Sequence, residues 1–497
     1  MGIVAAGHPR TAEVGATVLR EGGSAADAAV AAVLASWVCE PLLTGPAAGG
    51  HLLAVDPDGT PMAIDAFCAV PGAGGRRADA APLRAVDVDF GGARQVFHVG
   101  AASVGAFGLI DGLVRLHDRY GRMPLEQLAA PAVRMAEEGV ALNRQQAYVA
   151  AILEGILRST PEVRALWAPD GALLAEGERF RCPELGETIA RLGREGAAPL
   201  RDGDLAAACV AWCREQGGAL TAADQAGYRA VERPPVRVDY RDRTVLTTPP
   251  PSAGGLLLAL ALGRLDRGSP GPPTAAALVA AMAEAEDERT AAFVDGLAEP
   301  GFADRLLALR LGSTTHLSAI DDDGLSCAVT CTNGEGSGLV VPGTGIHLNN
   351  VMGEEDLNPQ LGPAGAGMAP FASGRRLPSM MAPTAVIGPG GLEAILGSAG
   401  SIRIRSALLQ VIVGLVDHGR PPGAAVEAPR VHLEEGVVYR EPGVVGADGD
   451  WSGGRPVVEF REPNLFFGGV QIACRNPADG RLSAAADPRR GGAVAVA

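Results

Sequence analysis

The sequence predicts a layered α+β unit with helices on the outside of sheets. Three observations carry that expectation. Helix-periodic segments crowd the first part of the chain, alternating strand segments dominate after the LGSTT loop at 311–315, and both parts contribute strand pairs. In the segment TAEVGATVLREGG a first helix stops at Gly22 and Gly23. Ser24, with Asp27 three positions later, caps a second helix, SAADAAVAAVLASWV, whose short side chains on all faces imply tight packing. HLLAVDPDGTPMAIDAF reads as a hairpin around an Asp-Gly turn. Residues 105–230 turn helical, with VGAFGLIDGLVRLHDRYG and LEQLAAPAVRMAEEG apolar at three- and four-residue spacing.

A strand pair at VRVDYRDRTVLTT leads into TPPPSAGG, where the prolines fix an extended path and Ser252–Gly255 open a helix. Residues 274–311 read as Ala-rich helices. HLSAIDDDGLSCAVTCT and TAVIGPGGLEAILG follow as hairpins, and GIHLNN as a strand. The helix SIRIRSALLQVIVGLVDHG comes next, then strands around VHLEEGVVYRE, PVVEF and GGVQIACRNPADGRLSAAAD. No internal repeat and no long linker divides the 497 residues.

Composition narrows the chemistry. All 42 basic side chains are Arg, so Schiff-base lysines, phosphate-loop lysines and Ser-Lys dyads are excluded. A net charge of −15 argues against nucleic acid as a partner. The eight Cys show no zinc-ligand spacing: Cys209/Cys213 fall on a helix pattern and Cys327/Cys331 on a strand pattern. The expectation is reduced buried thiols, no metal and no cofactor. The apolar stretch Ala28–Val38 is too short to span a bilayer, and MGIVAAGHPR lacks the pattern of a secretory signal. A cytoplasmic protein with no membrane partner is expected.

Taken alone, STTHLS at 313–318 is only a strand rich in Thr. Its company changes its meaning. GHPRTAEVGATVLREGGSAADAAVAAVLA, GRMPLEQLAAPAVRMAEEGV, TPPPSAGG, TTHLSAIDDDGLSCAVT, GSGLVVPGTGIHLNN, LPSMMAPT and AADPRR occur in the order of the γ-glutamyltransferase (γ-glutamyltranspeptidase) family. The chain resembles that family of N-terminal-nucleophile hydrolases over nearly its whole length.

The resemblance implies a four-layer αββα sandwich made as one precursor that cuts itself between Ser313 and Thr314. Residues 1–313 become a large fragment and 314–497 a small one, the two interleaved in one structural unit. Thr314 becomes both nucleophile and base, because its freed α-amine has a reference pKa of about 7.7–8.0. By resemblance Thr332 orients Thr314, and Gly400 and Ser401 in GSAGS offer backbone amides to the oxyanion.

The recognition residues depart from the family. The DFRE-type stretch that holds a substrate carboxylate is Asp65-Ala66-Phe67-Cys68 here, which puts Phe67 where the family has Arg. Arg76 and Arg77 are nearby candidates to replace it. Asn333 matches a substrate-binding Asn, although the chain after Thr332 is two residues shorter than the family pattern. Past Asn349 and Asn350, the family's Gln and Asp become Val351 and Glu354, while Glu355 and Asp356 read as a solvated acidic loop. The paired Ser becomes Pro378 and Ser379.

The expected activity is therefore acyl-enzyme chemistry on a small-molecule amide or related carbonyl other than simple glutathione. The alternatives are a homologue specialised for a biosynthetic substrate, as a C–C bond hydrolase or a glutaryl-type acylase, and an unprocessed binding protein.

Overall fold

The computed structural model describes residues 2–73, 81–89, 94–268, 271–287, 314–354, 371–444 and 451–497. Ser313, Arg76, Arg77, Glu355, Asp356 and the end of the Ala-rich helical segment lie outside the described residues.

Two large sheets form the centre. Their strands, in chain order, are β1 (Ile3–Ala6), β2 (Gly49–Val55), β3 (Pro61–Ala66), β4 (Val231–Arg233), β5 (Val236–Tyr240) and β6 (Arg243–Thr247). Then come β7 (Thr315–Ile320), β8 (Ser326–Thr332), β9 (Thr384–Gly388), β10 (Gly391–Ala399), β11 (Gly469–Arg475), β12 (Leu482–Ala486) and β13 (Ala493–Val496). The first sheet runs β13-β1-β7-β8-β2-β3-β4 and the second β12-β11-β10-β9-β6-β5. Each therefore mixes strands from before and after residue 314.

The hairpins expected from the sequence form. The β2–β3 turn closes where Gly59 N donates to Asp56 O at 2.8 Å, with Gly59 at φ +86, a conformation that suits glycine. The sheets meet through small apolar clusters: Ile3, Ile320 and Ala328 pack on Ile395 and Ala473, and Leu53, Val55 and Ala63 on Leu246 and Ala385.

Helices cover both outer faces. Ala25–Cys39 is fully buried along its length and packs on β7 and β8, its start fixed by reciprocal hydrogen bonds between Ser24 and Asp27. On the far side Ala253–Asp266 and Arg403–Val416 pack on the second sheet and on each other. This is the αββα layering, with the helix of Cys209 and Cys213 and the strand of Cys327 and Cys331 as expected. No helix of the described residues is long and apolar enough to cross a membrane.

Candidate active site

Strand β7 has two faces, and they do different things. Its even residues point between the sheets: Ile320 joins the inter-sheet cluster, Ser318 Oγ donates to Gln471 O at 3.3 Å, and the His316 ring fills the space where a side chain on Gly397 would sit. His316 Nδ1 is 2.7 Å from Thr330 Oγ1 and Nε2 is 2.9 Å from Ser318 Oγ; burial pushes its pKa down to about 3, so it is a neutral structural link. The odd residues face the helices, with Leu317 and Ala319 in the main core.

Thr314, fully buried, precedes β7 in the even phase and so lies at the end of the inter-sheet layer. Pairing of Thr315 with Cys331 and His316 with Thr330, extended by one position, sets Thr314 opposite Thr332. Thr332 Oγ1 accepts from Gly334 N at 2.8 Å. The order Ile320 against Ile395, then His316 against Gly397, carries the line from Thr314 to the end of β10, where Gly400 and Ser401 follow. Gly400 has φ +127 and Ser401 φ +58, two consecutive left-handed residues that turn the chain into the helix Arg403–Val416. Their carbonyls accept from Arg403 N at 3.0 Å and Ile404 N at 3.1 Å. Gly400 and Ser401 thus form the turn just before the first residue of that helix, a place where backbone amides suit a developing oxyanion.

Gly400 is braced from behind. A Cβ there would come within 2.6 Å of Gly468 Cα, so two backbones touch at this point. Arg430 holds Gly468, with Nη1 donating to Phe467 O at 3.1 Å and Gly468 O at 3.2 Å and Nη2 to Asp487 at 2.6 Å. Arg489 pairs with Glu441 at 2.6 Å and Asp487 at 3.2 Å. Despite burial, these two guanidiniums keep the Asp487 carboxyl below its ordinary pKa.

Two further groups near the start of β7 were not assigned from the sequence. Glu40, at the end of the helix Ala25–Cys39, accepts from Thr315 Oγ1 at 2.7 Å and from Thr11 Oγ1 at 3.3 Å, and burial raises its pKa to about 7. A Cβ on Gly7 would come 2.4 Å from Glu40 Oε1. Arg490 lies beyond, its pKa lowered to about 10 by burial and by Arg403. AADPRR carried Arg490 in plain view, but no local pattern ties Glu40 to Thr315, because they are 275 positions apart.

The candidate recognition residues lie outside the strands: Asn333 follows β8, Phe67 follows β3, Asn350 and Glu354 flank the short turn Val351–Gly353, and Ser379 precedes β9. Asn333 N donates to Leu43 O at 2.9 Å and Nδ2 to His347 O at 2.9 Å, while its Oδ1 is buried without a hydrogen-bond partner. Asn350 accepts from Glu335 N at 2.9 Å and leaves Nδ2 buried without one. Glu354 is buried, and its Oε1 lies 3.1 Å from where a Cβ on Gly334 would be.

Ser379 is tied into the fold: its Oγ is 3.0 Å from His51 Nε2 and accepts from Met381 N at 3.3 Å. Phe67 is fully buried, its ring 5.8 Å from that of His51, and its carbonyl accepts from Tyr228 Oη at 2.6 Å and from Arg376. Arg233 and Arg376 hold the neighbouring Asp65 below its ordinary pKa in spite of burial. None of the eight Cys is in a disulfide, and Asp321–Asp323 is the one carboxylate trio among the described residues close enough to share an ion. Asp321 already accepts from Ala25 N at 2.9 Å and Leu325 N at 3.0 Å.

Comparison with known proteins agrees with this fold. The sequence profile of the family described as gamma-glutamyltranspeptidase matches residues 11–307 and 305–497. The Acylase ACY 1 proenzyme of Pseudomonas sp. (strain SE83) is 31% identical over 98% of this chain and 91% of its own length. The glutathione hydrolase proenzyme of Escherichia coli (strain K12) is 29% identical over 87% of this chain and 80% of its own. The crystal structure of cephalosporin acylase from Bacillus halodurans superposes with a TM-score of 0.82 at 25% identity, covering 100% of this chain and 95% of that one.

Proposed function

The chain belongs to the gamma-glutamyltranspeptidase family of hydrolases and transferases, self-processing N-terminal-nucleophile enzymes that act on amide bonds, and on that premise we propose that Thr314 is its nucleophile. In the precursor the Thr314 hydroxyl adds to the Ser313 carbonyl, the peptide C–N bond breaks as the nitrogen takes a proton, and water opens the resulting ester. Fragments of 313 and 184 residues result, still joined through both sheets.

The Thr314 amine then takes the proton of its own hydroxyl as Oγ attacks the substrate carbonyl. Thr332 orients Thr314, and the amides of Gly400 and Ser401 receive the oxyanion. The leaving amine departs protonated, and water or an acceptor amine resolves the acyl-enzyme. The observation that carries this reading is the register that sets Thr314 opposite Thr332 at the end of β7.

The acyl group is an amide-linked acid other than glutamate, supported by Phe67 in the place of the carboxylate-binding Arg and by the likeness to acylases. Asn333, Glu354 and Ser379 line its path. Denaturing electrophoresis tests the processing: two fragments are expected, and a full-length band persisting in the wild type refutes it. Turnover of γ-glutamyl-p-nitroanilide at the level of ordinary glutathione hydrolases would refute the reading of Phe67.

A further inference from the structure

Where Glu40, just past the helix Ala25–Cys39, comes near the start of the helix Arg144–Ile152, the fold leaves a cavity of about 40 Å³. One water needs about 10–15 Å³, so an occupant has a few heavy atoms at most. Leu42, Leu142, Val149 and Trp167 make the wall mostly apolar. The cavity connects to β7 through Glu40 and Thr315, on the helix-facing side of the strand and away from Thr314.

Two of the polar lining residues carry buried donors with no acceptor. Arg490 gives Nη2 to Leu465 O at 3.2 Å and leaves Nε without a partner. Gln146 Oε1 accepts from Asn143 N at 2.9 Å, which fixes the orientation of the amide and leaves Nε2 without a partner. Arg489 pairs with both Glu441 and Asp487, whereas Arg490 makes no ion pair among the described residues. Asp487, Glu335 and Glu40 act on Arg490 only from beyond contact, and Arg403 opposes them.

Glu40 is the acid of the lining, and both its oxygens are already engaged by Thr315 and Thr11. Burial raises its pKa to about 7, so below that pH it does not repel a guest anion. What the cavity leaves unspent is therefore donors, one of them charged. A buried cation with unused N–H groups costs free energy that an anion of the right size removes, and a water supplies an acceptor but no charge.

We propose that this cavity binds a small monovalent anion, a halide or a carboxylate of formate size, held by Arg490 and Gln146. The site is separate from that of Thr314 and does not rest on Thr314 as nucleophile. Its occupant ties together Glu40, the helix start at Arg144 and Arg490, which are far apart in the chain, so occupancy reads out as stability.

Thermal unfolding of the full chain is followed at about pH 6, where Glu40 carries its proton, while gluconate is replaced by chloride or formate at fixed ionic strength. Gluconate is too large for the cavity. The midpoint should rise saturably, by about 2 °C once the anion exceeds its Kd tenfold. A rise with chloride alone assigns the site to a halide, a rise with formate alone to a carboxylate, and a rise with both to their shared charge. Arg490→Gln and Gln146→Leu should each lose most of the rise. The chloride NMR line width reads binding directly, and wild type should broaden it more than Gln146→Leu does, a comparison that stands even if Arg490→Gln fails to fold. The proposal is overturned if neither anion raises the midpoint and the line widths are equal, which leaves the cavity to water. It is overturned equally if the folded variants keep the wild-type rise, which places the anion elsewhere.

Discussion

The frame around Thr314 and the flank proposed to face the substrate are built on different terms. In the frame, nearly all the named polar groups find partners within the fold, Arg430 Nε excepted: Thr332 holds Gly334 N, His316 is fixed between Thr330 and Ser318, and Arg430, Asp487, Arg489 and Glu441 lock Gly468 against Gly400. On the flank, Asn333 Oδ1 and Asn350 Nδ2 are buried without hydrogen-bond partners, and Phe67 presents a buried ring beside that of His51. A buried polar atom left unsatisfied costs about 1–3 kcal/mol, a cost that a substrate able to donate to one and accept from the other removes. Ser379 is the exception on that side, since His51 already engages its hydroxyl. The difference teaches that chemistry here resides in register and buried charge, which are independent of the substrate. Under the proposed function, specificity falls to a few side chains outside that frame.

The comparison can be broken most severely at its centre. Thr314→Ala should leave a single full-length band and reduce turnover by about 10⁴-fold or more, while denaturant unfolding stays cooperative. Residual turnover near wild type would remove the nucleophile from Thr314. Next comes Asp487→Ala, which leaves Arg430 and Arg489 buried without their shared carboxylate. Breaking such a pair costs about 3–5 kcal/mol, readable as a lowered urea midpoint. Unchanged stability would mean that the brace behind Gly400 is dispensable. Thr332→Val is isosteric and tests the facing position in the register: kcat should fall on the order of 10²-fold through misplacement of Thr314, with Thr332→Ser recovering most of it. A loss confined to KM would assign Thr332 to binding instead.

Much of the frame is legible in the chain. TTHLSAIDDDGLSCAVTCT alternates and turns where β7 and β8 do, and Ser24 with Asp27 marks the helix start that the structure has. What escapes is short or distant. Ile3–Ala6 and Ala493–Val496 are four-residue strands, too brief for periodicity to declare, yet they pair with each other, and Ile3–Ala6 with β7, to build the edge of the first sheet. Asn350 was visible only as a neighbour of changed residues, because its leftover donor exists only once Glu335 N has taken its oxygen. Glu40 escapes for the same reason: a carboxylate after a helix is ordinary until folding buries it against Thr315 and Thr11.

Glu40 also gives the mildest test, since it touches the frame without belonging to the reacting atoms. Burial raises its pKa from 4.5 to about 7, opposed by the hydrogen bonds from Thr315 and Thr11 and by Arg490; Cys39, with Arg10 beyond it, and Cys331 are the other titratable neighbours. The sign follows from the proton count. Below pH 4.5 folded and unfolded chains both carry the proton, and Glu40 adds no pH dependence. Between 4.5 and about 7 the unfolded chain has lost the proton that the folded one keeps, so stability declines as pH rises; above about 7 both are ionised and the decline stops. Glu40→Gln keeps an acceptor for Thr315 and cannot ionise. Its urea midpoint should match wild type near pH 4.5 and exceed it at pH 8, with turnover changed by less than about tenfold, the scale of one net hydrogen bond. Parallel midpoints across that range would show that Arg490 keeps Glu40 ionised in the fold, and would place the charge boundary of the frame at Glu40 itself.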